Sequence, residues 1–314
     1  MASNLSEQNS HKAFVAGILS GITKLSVGHP FDTIKVRLQT APSSQFSGPL
    51  ECLLQTVRKE GVLGLYKGAT PPLVGWIFMD SILMGSLTFY RSLLKETLFA
   101  PKKSTDFSQN PSITQSSHKL PPLGHGIAGL LAGFSVSFFA APIEHIKSRL
   151  QVQYSKSQRF YTGPIDCIMK IYTHHGLRGI YHGLIATLIF RSSFFFWWSS
   201  YDILTTQFQK HTSLSISMVN FYAGGLSAQI FWCFSYPSDV VKQRIMTDPL
   251  GGTLRDGKPR WLGWGSGWWN AARGVLAESG YKGYWRGFLP CFLRAFPANA
   301  MAMATFEAVM RSLK

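Results

Sequence analysis

The sequence predicts an all-α membrane protein. It has six transmembrane helices in three tandem, pseudo-symmetric repeats, joined by short surface helices. Three observations predict it. One phrase (Pro, any, acid, two any, base, any, base) occurs three times, as Pro30-Phe-Asp32-Thr-Ile-Lys35-Val-Arg37, Pro142-Ile-Glu144-His-Ile-Lys147-Ser-Arg149 and Pro237-Ser-Asp239-Val-Val-Lys242-Gln-Arg244. Each copy ends an apolar segment that opens on small residues at i, i+4: Gly17/Gly21, Gly129/Gly133 and Gly224/Ala228. Such spacing lets helix backbones approach closely in lipid. A second apolar stretch of about 25 residues follows Tyr66-Lys67-Gly68, Tyr181-His182-Gly183 and Trp285-Arg286-Gly287, long enough to cross a bilayer.

Composition agrees with this. The net charge is +16, from 31 Lys and Arg against 15 Asp and Glu. Mean hydropathy is only +0.06, so the spanning helices must carry polar faces. The bases sit beside apolar segments and form no single patch, which points to anionic lipid or solute and not to nucleic acid. Cys52, Cys167, Cys233 and Cys291 are far apart with no CxxC, so no metal or redox motif is signalled. No nucleophile–base pair or phosphate loop is visible, so an enzyme is not expected.

In chain order, residues 1–11 form a polar N-terminal tail without a secretory or Arg-rich leader, and 12–98 the first repeat. Residues 99–122 are a polar Ser- and Pro-containing linker, 123–209 the second repeat and 210–314 the third. Inside the repeats, Gly48–Gly61, Gly163–Gly176 and Gly267–Gly280 have equal length, apolar residues at helical spacing, and Gly at the end. Pro follows the opening Gly in the first two, as suits a first helical turn. These read as amphipathic helices lying on the membrane surface. An even number of spans puts both termini on one side.

In the repeated phrase, acid and base stand i, i+3 and share a helix face. Asp32 and Lys35, Glu144 and Lys147, and Asp239 and Lys242 read either as surface pairs of small value or as a ring in which each acid meets the base of a neighbouring repeat. Proline bends would draw the helix ends together.

The triple phrase, with its followers Glu60-Gly61…Tyr66-Lys67-Gly68, His175-Gly176…Tyr181-His182-Gly183 and Ser279-Gly280…Trp285-Arg286-Gly287, resembles the mitochondrial carrier family over nearly the whole chain. Val27–Thr40 and Leu293–Ala300 look like its carnitine and basic amino-acid branch. The second repeat departs by His at the acid and final base, the third by Ser at the acid.

The resemblance implies a fold of six spans with surface helices on the matrix side. It also implies a multi-pass protein of the mitochondrial inner membrane, with the peroxisomal membrane as the alternative. The protein would work as a monomer by alternating access, without a cofactor. The three pairs would be the matrix gate, braced by Gln39 and Gln151; Met246 stands where a third Gln would be. The cytoplasmic gate positions are Thr88/Arg91, Asp202/Thr205 and Glu307/Met310. Only Arg91, Asp202 and Glu307 are charged, so at most one pair forms there, the outer closure is weak, and the resting protein is closed on the matrix side. Gly48, Gly68, Gly163, Gly183 and Gly287 mark helix starts whose free amides would hold cardiolipin.

Charges in the spans are costly and line water or ligand. The substrate-binding candidates are Arg294, Arg191, Asp80, Lys24 and Gln229, with Gly75 and Trp76 at the family's first contact point. Lys24 has a structural alternative, a pair with Asp80, and Gln229 an interhelical bond. Arg presents a planar fork for carboxylate or phosphate. Arg191 lacks the adjacent acid usual in amino-acid members. Two Arg and one Lys against one Asp favour an anionic or zwitterionic solute. A small carboxylated metabolite of amino-acid or carnitine type, moved by exchange, is therefore expected. The alternatives are a nucleotide, keto-acid or cofactor carrier, or a proton or anion leak.

Overall fold

The computed structural model describes residues 2–42, 44–99, 120–153, 160–250 and 266–312. Among them the chain is helical: α1 (Ala2–Thr40), α2 (Pro49–Glu60), α3 (Thr70–Glu96), α4 (Pro122–Gln151), α5 (Pro164–Ile180), α6 (Leu184–Ser192), α7 (Phe194–His211), α8 (Ile216–Met246), α9 (Ser266–Ser279) and α10 (Phe288–Ser312). The long segments α1, α3, α4, α6 with α7, α8 and α10 are the six expected spans, and α2, α5 and α9 are the short elements between them. The polar segment 1–11 is not set off from the first repeat, because α1 already starts at Ala2. Most of the 99–122 linker falls outside the described residues.

Among the described residues, α4 is long and apolar enough to cross a membrane, and Leu184–His211 qualifies only together with Pro164–Ile180, across a bend of 46°. Polar side chains within otherwise apolar long segments sit on packed helix faces. Helix α1 shows this: Ser20 Oγ donates to Ala302 O on α10 at 2.8 Å, and Thr305 Oγ1 meets Thr23 Oγ1 at 3.2 Å.

The chain divides into two compact units: Met1–Trp76, Ala141–Ala186 and Pro237–Lys314 in the first, Ile77–Ala140 and Thr187–Tyr236 in the second. Helices α4 and α8 pass from one unit to the other beside Pro142 and Pro237, where the backbone lacks one hydrogen bond.

In the first unit the repeats build three similar cores. Ile34 and Leu38 pack with Phe46, Cys52 and Leu65; Ile146 and Leu150 pack with Tyr161, Cys167 and Ile171; Val241 and Ile245 pack with Ala186 and Ala272. Ile34, Leu38, Ile146, Leu150, Val241 and Ile245 lie one before and three after the lysine of each repeated phrase, so burying them turns that lysine inward. Burial pushes the Cys52 thiol up to about 11 and the Cys167 thiol up to about 12. Alkylation with iodoacetamide at about pH 8 is expected to spare both in the folded protein and to modify both after unfolding, because the thiolate is the reacting form.

In the second unit, Leu87, Leu94 and Leu120 pack on Ala128 and Ala132, and Phe190, Phe194 and Phe231 form an aromatic cluster. The small-residue pattern does not do the same work everywhere. Side chains at Gly129 and Gly133 would collide with Trp198 and with the Arg191 carbonyl, so α4 does use them for close approach. Gly17 and Gly21 face open space, because α1 turns Ser20 and Thr23 to its partner helix instead.

Helices α2 and α9 end at glycines of positive φ, Gly61 (75°) and Gly280 (61°), and α5 is broken by one at Gly176 (64°). A second such glycine opens each following span. At Gly68 (φ 74°) an added Cβ would lie 2.8 Å from the Lys147 carbonyl oxygen. The left-handed backbone and the close carbonyl both exclude a side chain. Gly68→Ala is expected to destabilise the protein by more than about 1 kcal/mol, read as a lowered Tm.

Candidate functional site

The repeated phrase forms a closed ring in the first unit. Lys147 Nζ is 2.8 Å from Asp32 Oδ2, Lys242 Nζ is 3.0 Å from Glu144 Oε2, and Lys35 Nζ is 2.7 Å from Asp239 Oδ2. Each lysine thus reaches the acid of the preceding repeat, with the third returning to the first. Lys242 also meets Asp239 within its own helix at 3.1 Å. Asp239 and Lys242 are 2% and 3% exposed, which sets these pairs apart from surface pairs of little value.

Gln39 Nε2 donates to Asp239 Oδ2 at 3.0 Å and so braces the Lys35–Asp239 pair. Gln151 does not brace its own pair. Its Nε2 donates to Thr33 Oγ1 at 3.2 Å, and its carbonyl accepts from Arg37 Nε at 3.1 Å. Thr33 competes for that amide because it lies beside Asp32 on the same turn.

The second base of each phrase lies in an outer layer. Arg37 grips Glu60 with both terminal nitrogens (2.6 and 2.9 Å), and Lys67 meets the same carboxylate at 2.5 Å. In the second repeat, where His175 stands at the acid position, Arg149 donates to the Tyr161 hydroxyl at 3.0 Å. In the third, where Ser279 stands there, Arg244 reaches Glu278 one residue earlier at 2.6 Å. The sequence carried that signal in Ala-Glu-Ser-Gly, one place out of register. A further set of links joins each repeat to the next. Lys67 donates to Gln153 O at 2.5 Å, His182 Nε2 lies 3.0 Å from Asp248 Oδ2, and Arg286 donates to Ala41 O and Phe46 O, each at 3.0 Å.

The substrate candidates have different fates. Arg294 Nη1 donates to Asp32 Oδ1 at 2.8 Å, so this carboxylate joins Lys147 and Arg294. Gly28 gives the arginine room, with Arg294 Cδ 3.5 Å from where a Cβ would stand. Gly75 is packed against Ile143, whose Cδ1 would be 2.7 Å from an added Cβ. The Trp76 side chain lies outside the described residues, as does that of Glu307. Lys24 is exposed in the first unit, and Asp80 is exposed in the second. Arg191 is buried in the second unit, its guanidinium 5.4 Å from the Phe194 ring centre. Gln229 is half-buried, and its Oε1 accepts no hydrogen bond among the described residues.

At the outer motif, Arg91 lies over the Trp198 ring at 4.8 Å, and Asp202 Oδ1 is 3.7 Å from His125 Nε2. Thr88 Oγ1 turns back to Met84 O at 2.9 Å. His125 was not among the sequence candidates, because it lies far from the motif in the chain. Among the described residues no cluster of His, Cys, Asp and Glu is arranged to hold a metal ion.

The family model described as "Mitochondrial carrier protein" matches the chain over residues 6–98, 118–212 and 215–314. The chain is similar to "Mitochondrial substrate carrier family protein L" of Dictyostelium discoideum, at 36% identity over 299 residues, covering 95% of this chain and 94% of that one. It is 35% identical over 305 residues to the "Mitochondrial basic amino acids transporter" of Rattus norvegicus (96% and 89% covered). It is 31% identical over 313 residues to the "Mitochondrial carnitine/acylcarnitine carrier protein" of Homo sapiens (96% and 94% covered). Three repeated phrases, six long helices and three matches to one family model lead to a single conclusion: the chain belongs to the mitochondrial carrier family, whose members are transporters and not enzymes.

Proposed function

We propose that the protein exchanges a small carboxylated metabolite of amino-acid or carnitine type across the mitochondrial inner membrane, by alternating access and as a monomer. The observation that carries this reading is the Arg294–Asp32 contact at one end of the lysine–carboxylate ring. A solute carboxylate offers Arg294 the same chemistry that Asp32 offers it, and so competes for it. Taking Arg294 from Asp32 loosens the matrix-side closure, which gives the ligand differential affinity for two states. The names of the relatives at 30–36% identity support both the solute class and the organelle.

A panel of arginine, carnitine, acylcarnitines, keto acids and nucleotides, tested by thermal shift on the purified protein, reads the cargo directly. Stabilisation by arginine or carnitine supports the reading, while stabilisation by nucleotides alone overturns it. Uptake into liposomes that requires internal counter-substrate supports exchange. Conductance without counter-substrate identifies a leak.

We also propose that the cleft of about 190 Å³ lined by Lys67, Gly68, Gln153, Tyr161 and Gly163 binds cardiolipin phosphate. The positive end of the α5 dipole favours an anion there, and Lys67, which also contacts Glu60, lines the cleft. Cardiolipin is expected to raise the Tm of the purified protein, and Lys67→Ala to reduce that gain.

A further inference from the structure

Asp202 stands between two bases of different kinds. His125, in the first turn of α4, is 3.7 Å from its carboxylate, with the two side chains 16% and 13% exposed. Arg91, on α3, is within electrostatic reach of the same carboxylate. Its guanidinium lies over Trp198, one turn before Asp202 on α7. All four residues belong to the second unit.

Two nearby tyrosines are bonded elsewhere, while the Thr205 hydroxyl, one turn on from Asp202, is buried without a hydrogen bond among the described residues. On α7, Tyr201 donates to Asn220 of α8 at 3.2 Å, and Tyr90 of α3 bonds Ser135 of α4 at 2.9 Å. Lys95 and Glu96 are exposed at the end of α3. Thr88 and Thr205 hold the places of a motif acid and a motif base. Arginine stays charged throughout, whereas imidazole changes charge at mild pH.

We propose that His125 is a positioning residue of the outer mouth and decides which base holds Asp202. Protonated, it keeps the carboxylate within the second repeat and away from Arg91, whose charge rests against Trp198. Neutral, it releases Asp202 to pair with Arg91 across two repeats, which closes the outer mouth. This rests on the alternating-access reading above but not on the identity of the cargo. Acid on the outer side therefore holds that mouth open, and alkali lets it close.

Spin labels on cysteines placed at Thr97 and Thr212, with Cys233→Ser, report the distance between the ends of α3 and α7 in lipid nanodiscs. In the otherwise native protein a short-distance population is expected to grow from about pH 6 to about pH 8. His125→Gln should show the alkaline distribution at both values, and His125→Arg the acid one. Thermal unfolding of each variant verifies that it folds. Distributions that ignore pH in the parent, or that are identical in all three proteins, overturn the proposal. Arginine and carnitine uptake by the otherwise native protein bears on the cargo alone: no uptake of either with an intact distance response defeats that reading and leaves the role of His125 standing.

Discussion

Asp32→Asn is expected to abolish uptake and to produce the largest fall in Tm of any single change in the ring. Asp32 accepts from Lys147 and Arg294 at 2.8 Å each, on separate carboxylate oxygens. Neutralising it leaves two cations facing an amide. Breaking a buried pair by removing one partner costs roughly 3–5 kcal/mol, since the remaining charge stays desolvated. Lys147 and Arg294 are 15% and 26% exposed, so water recovers part of that, and about 3 kcal/mol is the expected loss. Asp32→Glu keeps the charge and should cost much less. Thermal unfolding of both variants checks this: equal losses in the two would mean that shape, and not charge, governs the position.

Arg294→Ala is expected to do the opposite in proportion, with a small fall in Tm and a large loss of ligand response. The three lysine–carboxylate pairs all survive this change, because Asp32 keeps Lys147. On the proposed reading, however, the carboxylate of the cargo then loses its forked donor. Hydrogen bonds to charged groups contribute about 1.5–3 kcal/mol, so affinity should weaken by roughly tenfold to a hundredfold. Arg294→Lys keeps a point charge without the fork and should fall between the two. Titrating the thermal shift with arginine and with carnitine measures the change. Undiminished ligand stabilisation in Arg294→Ala would remove Arg294 from the binding site.

Much of the fold was legible because it is written three times. A single proline phrase or glycine pair is weak evidence, but its recurrence at matching places fixed six long segments and three short ones. The ring was legible only in part. Spacing of i, i+3 puts Asp32 and Lys35 on one face, yet it does not say that Lys35 turns to Asp239 and Asp32 to Lys147. That choice comes from burial of Ile34 and Leu38 on the opposite side of the turn. A brace at Gln39 was implied by the family resemblance, and its amide does reach Asp239. The brace implied at Gln151 does not form, because a neighbouring threonine captures its amide.

The outer face was the least legible. Its motif has Thr88 and Thr205 where an acid and a base would stand, and Asp202 lies 3.7 Å from a histidine of another helix. Arg294 stood out in the sequence by its place after Gly287, at the family's third contact point, but its partner Asp32 did not, since 262 positions separate the two. The repeats also differ where the sequence differs. Lys67 and Arg286 hold the next repeat by permanent charges on carbonyl oxygens, whereas His182 uses the carboxylate of Asp248.

The most direct test of the ring is charge reversal at Glu144 and Lys242, one pair of the three. Glu144→Lys alone and Lys242→Glu alone should each abolish uptake and lower Tm. Combining them should restore uptake in good part and recover a coupling of about 1–3 kcal/mol, short of full recovery because Asp239 also faces position 242. A double variant no better than either single one would contradict a matrix-side closure built from these pairs.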